Sequence, residues 1–388
     1  MLEFESHRIA EIETGDLVSH YPRLIGRNSH LGSHGTGNTS AYAVIRTDQG
    51  ATGWGLLRSQ IDGTTLVGRS IADLFDPAVG VIDDQAAALD FALHDLAGII
   101  LGQPVYELLG GLGDRAVPCY SGAIYMDDLD PQGNPEGITA VLRNCAEDYA
   151  AGHRAFKLKI GRGYKWMPAA EGLARDIKVT LAVREAFPDC QILVDGNNGF
   201  TGSGFLAYLD GIRGCPLFWV EEPFQEDRED LAALSDHLTR TNPATLMADG
   251  ELDPDVPFLL DLAREGLLDV LIMDIVSYGL TAWRALMPEV REIGVQTSPH
   301  AWGVPLKSLY TAQAAAGLGS MVTVEVVPGE ADGIDTSGYE LRDGIIHVPD
   351  RPGFGILPPS ATATGAASRR GADLSNSRHR RPGSPSLS

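Results

Sequence analysis

The chain has 388 residues, 44% hydrophobic and 21% charged, which suits a large globular protein with room for more than one structural unit. Its formal net charge of −22 argues against nucleic acid as a partner, because phosphate binding needs a basic footprint. A small anionic substrate is compatible with that charge, since it needs only local positive potential.

The N-terminus, MLEFESHRIAEIE, is acidic and has no apolar core, so it does not read as a signal peptide. No run approaches the roughly 20 apolar residues of a bilayer span, so no membrane association is expected. Cys119, Cys145, Cys190 and Cys215 show neither CxxC pairing nor zinc spacing, which points to a reducing compartment. A cytoplasmic enzyme or binding protein is the expectation.

Residues 1–114 carry strand-like patches, SAYAVIRTD and ATGWGLL, and then a helical stretch, DDQAAALDFALHDLAGIILG, stopped by Gly102 and Pro104. This reads as an α+β unit. From there the pattern becomes short apolar strands followed by longer helical stretches. The strands are PCYSGA (118–123), AFKLKIG (155–161), QILVDGN (191–197), LFWVEEP (217–223), TLMADGE (245–251), DVLIMDIV (269–276), GVQTSPH (294–300) and MVTVEVV (321–327). Eight β/α repeats over residues 115–327 predict a (β/α)8 TIM-type barrel rather than an open sheet. The segment DGIIHVPDRPGFGI is expected to return to the N-terminal unit, so that residues 328–358 complete it. Residues 359–388 are rich in Ser, Ala, Gly, Pro and Arg and read as a disordered basic tail.

Most of these strands end in an ionisable residue: Lys159, Asp195, Glu221, Glu251, Asp274, His300 and Glu325. They recur at the interval of one β/α unit, and barrel strand ends converge on one face, where active sites lie. One acidic strand end is ordinarily a helix cap or a solvated loop; seven in register are hard to assign to caps. Asp195, Glu221 and a third carboxylate would repel one another if bare, and oxygen-only ligands suit Mg²⁺ or Mn²⁺ rather than zinc. The third ligand is Glu251 or Asp249, two apart on one face. Glu222 should point the opposite way from Glu221, and Asn197 can hydrogen-bond beside the metal. Lys157 and Lys159 share one face of their strand, with Phe156, Leu158 and Ile160 on the other. Two close lysines are expected to depress each other's pKa. Asp274 beside His300 would fix the histidine's tautomer and raise its basicity.

Taken in order, ALHDLAGIILGQPVYELLGG, the KxK of FKLKIG, VDGNNG, WVEEP, ADGE, the MD of strand six and SPH resemble the enolase superfamily, specifically its mandelate racemase subgroup. The resemblance covers about residues 40–358. It implies an N-terminal domain capping the barrel mouth, and Asp195, Glu221 and Glu251 as metal ligands. Lys159 would be one acid/base with Lys157 tuning it, and His300, paired with Asp274, the acid/base on the opposite face. Glu325 would sit near the substrate carboxylate and help stabilise the enolate. By analogy, residues 20–35 form a mobile specificity loop whose Tyr21, Arg23, Arg27, Asn28, His30 and His34 read substrate hydroxyls or carboxylates.

The chemistry implied is Mg²⁺-dependent proton abstraction α to a carboxylate through an enediolate. The favoured outcome is dehydration of a sugar acid to a 2-keto-3-deoxy acid; racemisation or epimerisation is the alternative. A cycloisomerase is disfavoured, because the family's version carries a lysine on strand six where this chain has Asp274. A non-catalytic scaffold barrel would predict a decayed site, yet no expected residue is missing. A homo-oligomer is expected. Three features depart from the family pattern: SYGLTAW lacks the usual paired glycines after strand six, GRGYKWMPAAEG lengthens the connection after Lys159, and the basic tail has no counterpart.

Overall fold

A computed structural model describes residues 2–129, 137–251 and 254–359, so all but the first residue of the basic tail lies outside the described residues. Two long strands, Ile9–Ile25 and Gly35–Thr47, form an antiparallel hairpin. Thr52–Leu56 adds to one edge and Glu330–Ala331 to the other. The hairpin corrects the expected loop at 20–35: residues 20–25 continue the first strand, and the loop is 26–34. The register shifts between His20 and Ile25, around Pro22, which has no N–H to give a ladder.

The helix expected from residue 83 starts later, at Asp90, and runs to Leu101. Asp84–Leu89 is a 3₁₀ turn, begun by the Asp83 side chain accepting from Gln85 N. Gly102 ends the helix at φ 66, the left-handed C-terminal signal. The helix lies against Thr52–Leu56 because Gly53 and Gly55 have no side chains; a Cβ on Gly53 would sit 2.4 Å from Leu96 Cα.

Eight parallel strands then close a barrel: Ala116–Ile124, Ala155–Lys159, Gln191–Asp195, Trp219–Glu221, Leu246–Asp249, Val270–Leu271, Gln296–Thr297 and Val324–Val326. The first seven pair in sequence order, the eighth pairs with the first, and a Thr297–Met321 bridge joins the seventh to the approach of the eighth. The sixth and seventh strands are shorter than expected, at two residues each. Alternation divides each strand. Phe156, Leu158 and Ile160 join the large core facing the helices. Tyr120, Ala155, Leu193, Trp219, Ala248, Val270 and Ile272 cluster separately as an apolar floor inside the barrel.

The segment after the eighth strand divides. Ile345–His347 pairs antiparallel with the first barrel strand. Farther on, Phe354 N donates to Asp95 Oδ1 at 2.7 Å and Ile356 O accepts from Trp54 Nε1 at 2.8 Å, contacts with the N-terminal helix and sheet. Among the described residues no helix is long and apolar enough to cross a membrane.

The extra residues after Lys159 form a short helix, Arg162–Lys165, rooted by a buried Arg162 paired with Asp128 and Asp176. They dock against the hairpin tip. Trp166 Nε1 donates to Asn28 O at 2.7 Å, and Lys165 Nζ donates to His30 O at 2.8 Å. The Arg27 guanidinium lies 4.7 Å from the Trp166 ring centroid. Trp166→Ala removes one hydrogen bond, worth about 0.5–1.5 kcal/mol, and a cation–π contact of about 0.5–1 kcal/mol. Amide exchange over residues 26–34 should accelerate roughly tenfold while the barrel strands stay protected. Unchanged protection at the tip would show that these contacts carry no docking energy.

Candidate active site

The inward residues above the apolar floor are charged. Lys157, Lys159, Asp195, Glu221 and Glu325 are all at most 2% exposed. Parallel register sets Lys159 beside Asp195 and Asp195 beside Glu221. Lys157 Nζ lies 2.7 Å from Glu221 Oε1, 3.2 Å from Glu325 Oε1 and 3.6 Å from Asp195 Oδ2, and Lys159 Nζ pairs with Asp195 Oδ2. Both ammonium groups also lie over aromatic faces, Lys157 at 5.5 Å from the Tyr120 centroid and Lys159 at 5.3 Å from that of Tyr125.

This geometry overturns the expected pKa direction for the lysines. Burial works against their charge, but Glu221 and Glu325 around Lys157, and Asp195 beside Lys159, outweigh it and raise both. Lys157 does oppose the charge on Lys159, as expected, yet Asp195 outweighs it. Glu325 is pulled down to about 2: burial opposes its ionisation, but Lys157, His300 and the Ala301 N–H outweigh it. The Ala301 bond to Oε2 measures 2.7 Å. Gly122 gives this carboxylate its space, since a Cβ there would sit 2.1 Å from Glu325 Oε1. As an anion Glu325 balances Lys157; stabilising an enolate would require it to carry a proton.

Asp195, Glu221 and Glu251 each place an oxygen so that the three lie within 4.8 Å of one another. Asp249 falls outside this group, with its Oδ1 accepting from Gly250 N at 2.7 Å. Glu221 Oε2, Glu251 Oε2 and Asn197 Oδ1 are buried without a hydrogen-bond partner. Burial, with Asp195 and Glu251 added, raises the Glu221 pKa well above the usual range despite Lys157. Orphaned, converging hard oxygens of this kind are satisfied by a divalent cation, so the residues fit one. Asn197 contributes through its backbone as well, its N–H donating to Asp195 Oδ1 at 2.8 Å.

The ends of strands three and four are strained. Asn197, Asn198 and Glu222 have φ of 43, 57 and 38. Asparagine tolerates this region, whereas glutamate does so at a cost on the order of 1–3 kcal/mol. Glu222 therefore breaks the alternation expected of it. Its Oε1 accepts from Glu251 N at 2.9 Å.

Asp274 is not on strand six but just past it, capping the helix Ile275–Tyr278: Oδ1 accepts from Val276 N at 2.9 Å and Ser277 N at 2.8 Å. Oδ2 faces His300 Nδ1 at 3.1 Å and Lys307 Nζ at 2.7 Å. Burial opposes the Asp274 charge, but His300 and Lys307 lower its pKa. The other ring nitrogen, His300 Nε2, lies 3.2 Å from Glu251 Oε1 and 3.7 Å from Glu325 Oε2. Sequence reasoning missed Lys307. Its signal was a lysine two residues after Pro305, in the first turn of a helix, where the macrodipole disfavours a cation without an acidic partner.

Of the expected loop residues, His34 faces the cluster. It packs on Tyr125 and Trp302 with ring centroids 4.7 and 5.7 Å away. Burial lowers its pKa; the Gly26 carbonyl opposes that, and Lys159 and Glu251 are the charges that bear on it. The others are engaged elsewhere. Tyr21 donates its hydroxyl to Gly303 O at 2.7 Å and stacks on Trp302. Arg23 forks onto Asp148 at 2.6 and 2.9 Å. Asn28 Oδ1 accepts from His30 N and Leu31 N, Arg27 lies over Trp166, and His30 packs against Tyr164. Arg27 and Asn28 thus have partners that hold the loop's shape, while Tyr21, in the preceding strand, is tied to Gly303 and Trp302.

Comparison with known proteins agrees with this architecture. Residues 140–361 match the family described as enolase C-terminal domain-like. A galacturonate dehydratase from a Geobacillus species, solved with D-galacturonate and 5-keto-4-deoxy-D-galacturonate, is 32% identical; the match covers 91% of this chain and 95% of that one, with a TM-score of 0.84. A mandelate racemase/muconate lactonizing protein from Geobacillus sp. Y412MC10, solved with magnesium and tartrate, is 31% identical over 93% of this chain and 95% of that one, with a TM-score of 0.86. Among curated proteins, D-galactarolactone cycloisomerase from Agrobacterium fabrum is 26% identical over 289 residues, covering 70% of each chain. With its capped barrel and these matches, the chain belongs to the mandelate racemase group of the enolase superfamily.

Proposed function

We propose that the chain abstracts the α-proton of a sugar acid in a divalent-cation-dependent reaction and expels the β-hydroxyl, leaving a 2-keto-3-deoxy acid. One observation carries this reading. Lys159 on strand two and His300 just past strand seven reach one carboxylate cluster through different members, Lys159 through Asp195 and His300 through Glu251. The Geobacillus dehydratase, bound to a uronic acid and a keto-deoxy acid, supports the choice of substrate class.

Asp195, Glu221 and Glu251 would hold Mg²⁺ or Mn²⁺, which supplies Lewis-acid stabilisation of the enediolate charge. If Asp195 and Glu221 were engaged as ligands, Lys159 would lose its nearest anionic partner. Burial beside Lys157 then favours the neutral amine, the form that accepts a proton. Lys157, held against Glu221 and Glu325, supplies fixed positive charge beside the developing anion. His300 has its ring oriented by Asp274 through Nδ1, which leaves Nε2 to protonate the departing hydroxyl. The same two groups would serve an epimerase if His300 returned its proton to carbon instead. The position just past strand six holds Asp274, not lysine, which weighs against cycloisomerisation.

Three measurements test this. In D₂O with Mg²⁺ and a panel of sugar acids, the true substrate should yield a 2-keto product. Label at the α-carbon without product would mean epimerisation, and neither across a broad panel would sink the proposal. Lys159→Ala and His300→Asn should each lower kcat by on the order of 10²–10⁴-fold with unchanged circular dichroism, and full activity in either variant would refute its assigned role. Mg²⁺ at about one hundred times its Kd should stabilise the fold by about 2.7 kcal/mol, reversibly on chelation; a melting temperature indifferent to metal would contradict the ligand assignment.

A further inference from the structure

We infer that Glu222 is a positioning residue for the third carboxylate of the cluster: its side chain holds the backbone that presents Glu251. This rests on the metal reading proposed above. Asp195 and Glu221 end regular strands and are fixed by the ladder. Glu251 is not, because its strand stops at Asp249 and Gly250 turns the chain at φ 110. A carboxylate presented from a turn needs another anchor. The Glu251 N–H finds it in Glu222 Oε1, 2.9 Å away.

Three neighbours hold Glu222 in its left-handed conformation. Its N–H donates to Ala248 O at 3.1 Å, its carbonyl accepts from Asn198 N at 2.7 Å, and a Cβ on Gly196 would lie 2.8 Å from that carbonyl. The side chain is buried, at 3% exposure, and burial first, then the charges of Glu251, Asp249 and Asp195, oppose a charge on it. An apolar residue would fill that space at less electrostatic cost. A buried side-chain acceptor for one backbone N–H accounts for a polar residue there.

The test is titration of full-length, metal-stripped protein with Mg²⁺ by calorimetry, alongside amide exchange at Glu251. Glu222→Gln keeps the acceptor and should bind within about threefold of wild type. Glu222→Gly removes it while relieving the positive φ, so any loss cannot be assigned to strain; affinity should fall about 10–100-fold, and the Glu251 amide should exchange faster. A glycine variant with wild-type affinity and unchanged Glu251 exchange would overturn the inference. So would equal losses in the glutamine and glycine variants, which would make the charge, not the acceptor, responsible. If the wild type takes up no divalent cation, the proposed function falls, and the exchange rate at Glu251 still decides whether Glu222 anchors it.

Discussion

The structure depends on keeping two ammonium groups and several carboxylates together inside a barrel. Neither set is tolerable alone: an unpaired charge at this depth costs several kcal/mol even after relaxation. Lys157 meets Glu221, Glu325 and Asp195 at once, and the apolar floor below them leaves the barrel mouth as the open side of the charged layer. The arrangement is a compromise, with Glu221 pushed toward protonation and both lysines away from neutrality. A group that is hard to ionise or deprotonate when free, and eased by a cation or an anionic substrate, is suited to chemistry that starts only once the site is filled.

Backbone geometry delivers these groups unequally. Ladder register settles Lys157, Lys159, Asp195 and Glu221, so their spacing follows from parallel strands about 4.8 Å apart. Glu251, Asp274 and His300 lie beyond their strand ends and depend on side-chain and cap interactions. Strain at Asn197, Asn198 and Glu222 gathers where these two kinds of support meet. The N-terminal hairpin closes over the same face. Its tip is held by the inserted helix after Lys159, so the connection that lengthens the chain there also joins the hairpin to the strand bearing the proposed base.

Much of this was legible in the sequence because barrel strands are periodic and their ends recur at one β/α interval. The KxK alternation correctly divided Phe156, Leu158 and Ile160 from the lysines. What misled was any residue whose neighbours are distant in sequence. Two adjacent lysines suggested mutual repulsion, while the deciding carboxylates arrive from strands three, four and eight. Asp274 was placed on a strand that is two residues long. Tyr21, Arg23 and Asn28 looked free to meet a ligand, and their partners, Gly303, Asp148 and the loop's own amides, are set by folding.

Residue type and interval alone determined the fold class, the acidic cluster suited to a hard cation, and the presence of a lysine on strand two and a histidine after strand seven. These follow from covalent periodicity, which fixes the face a side chain takes within its own element. Tertiary structure decided which carboxylate completes the cluster, that Glu222 turns inward, that Lys307 joins Asp274, and which loop residue faces the site. Each of those depends on distances between separate elements, and neither period nor propensity encodes such distances.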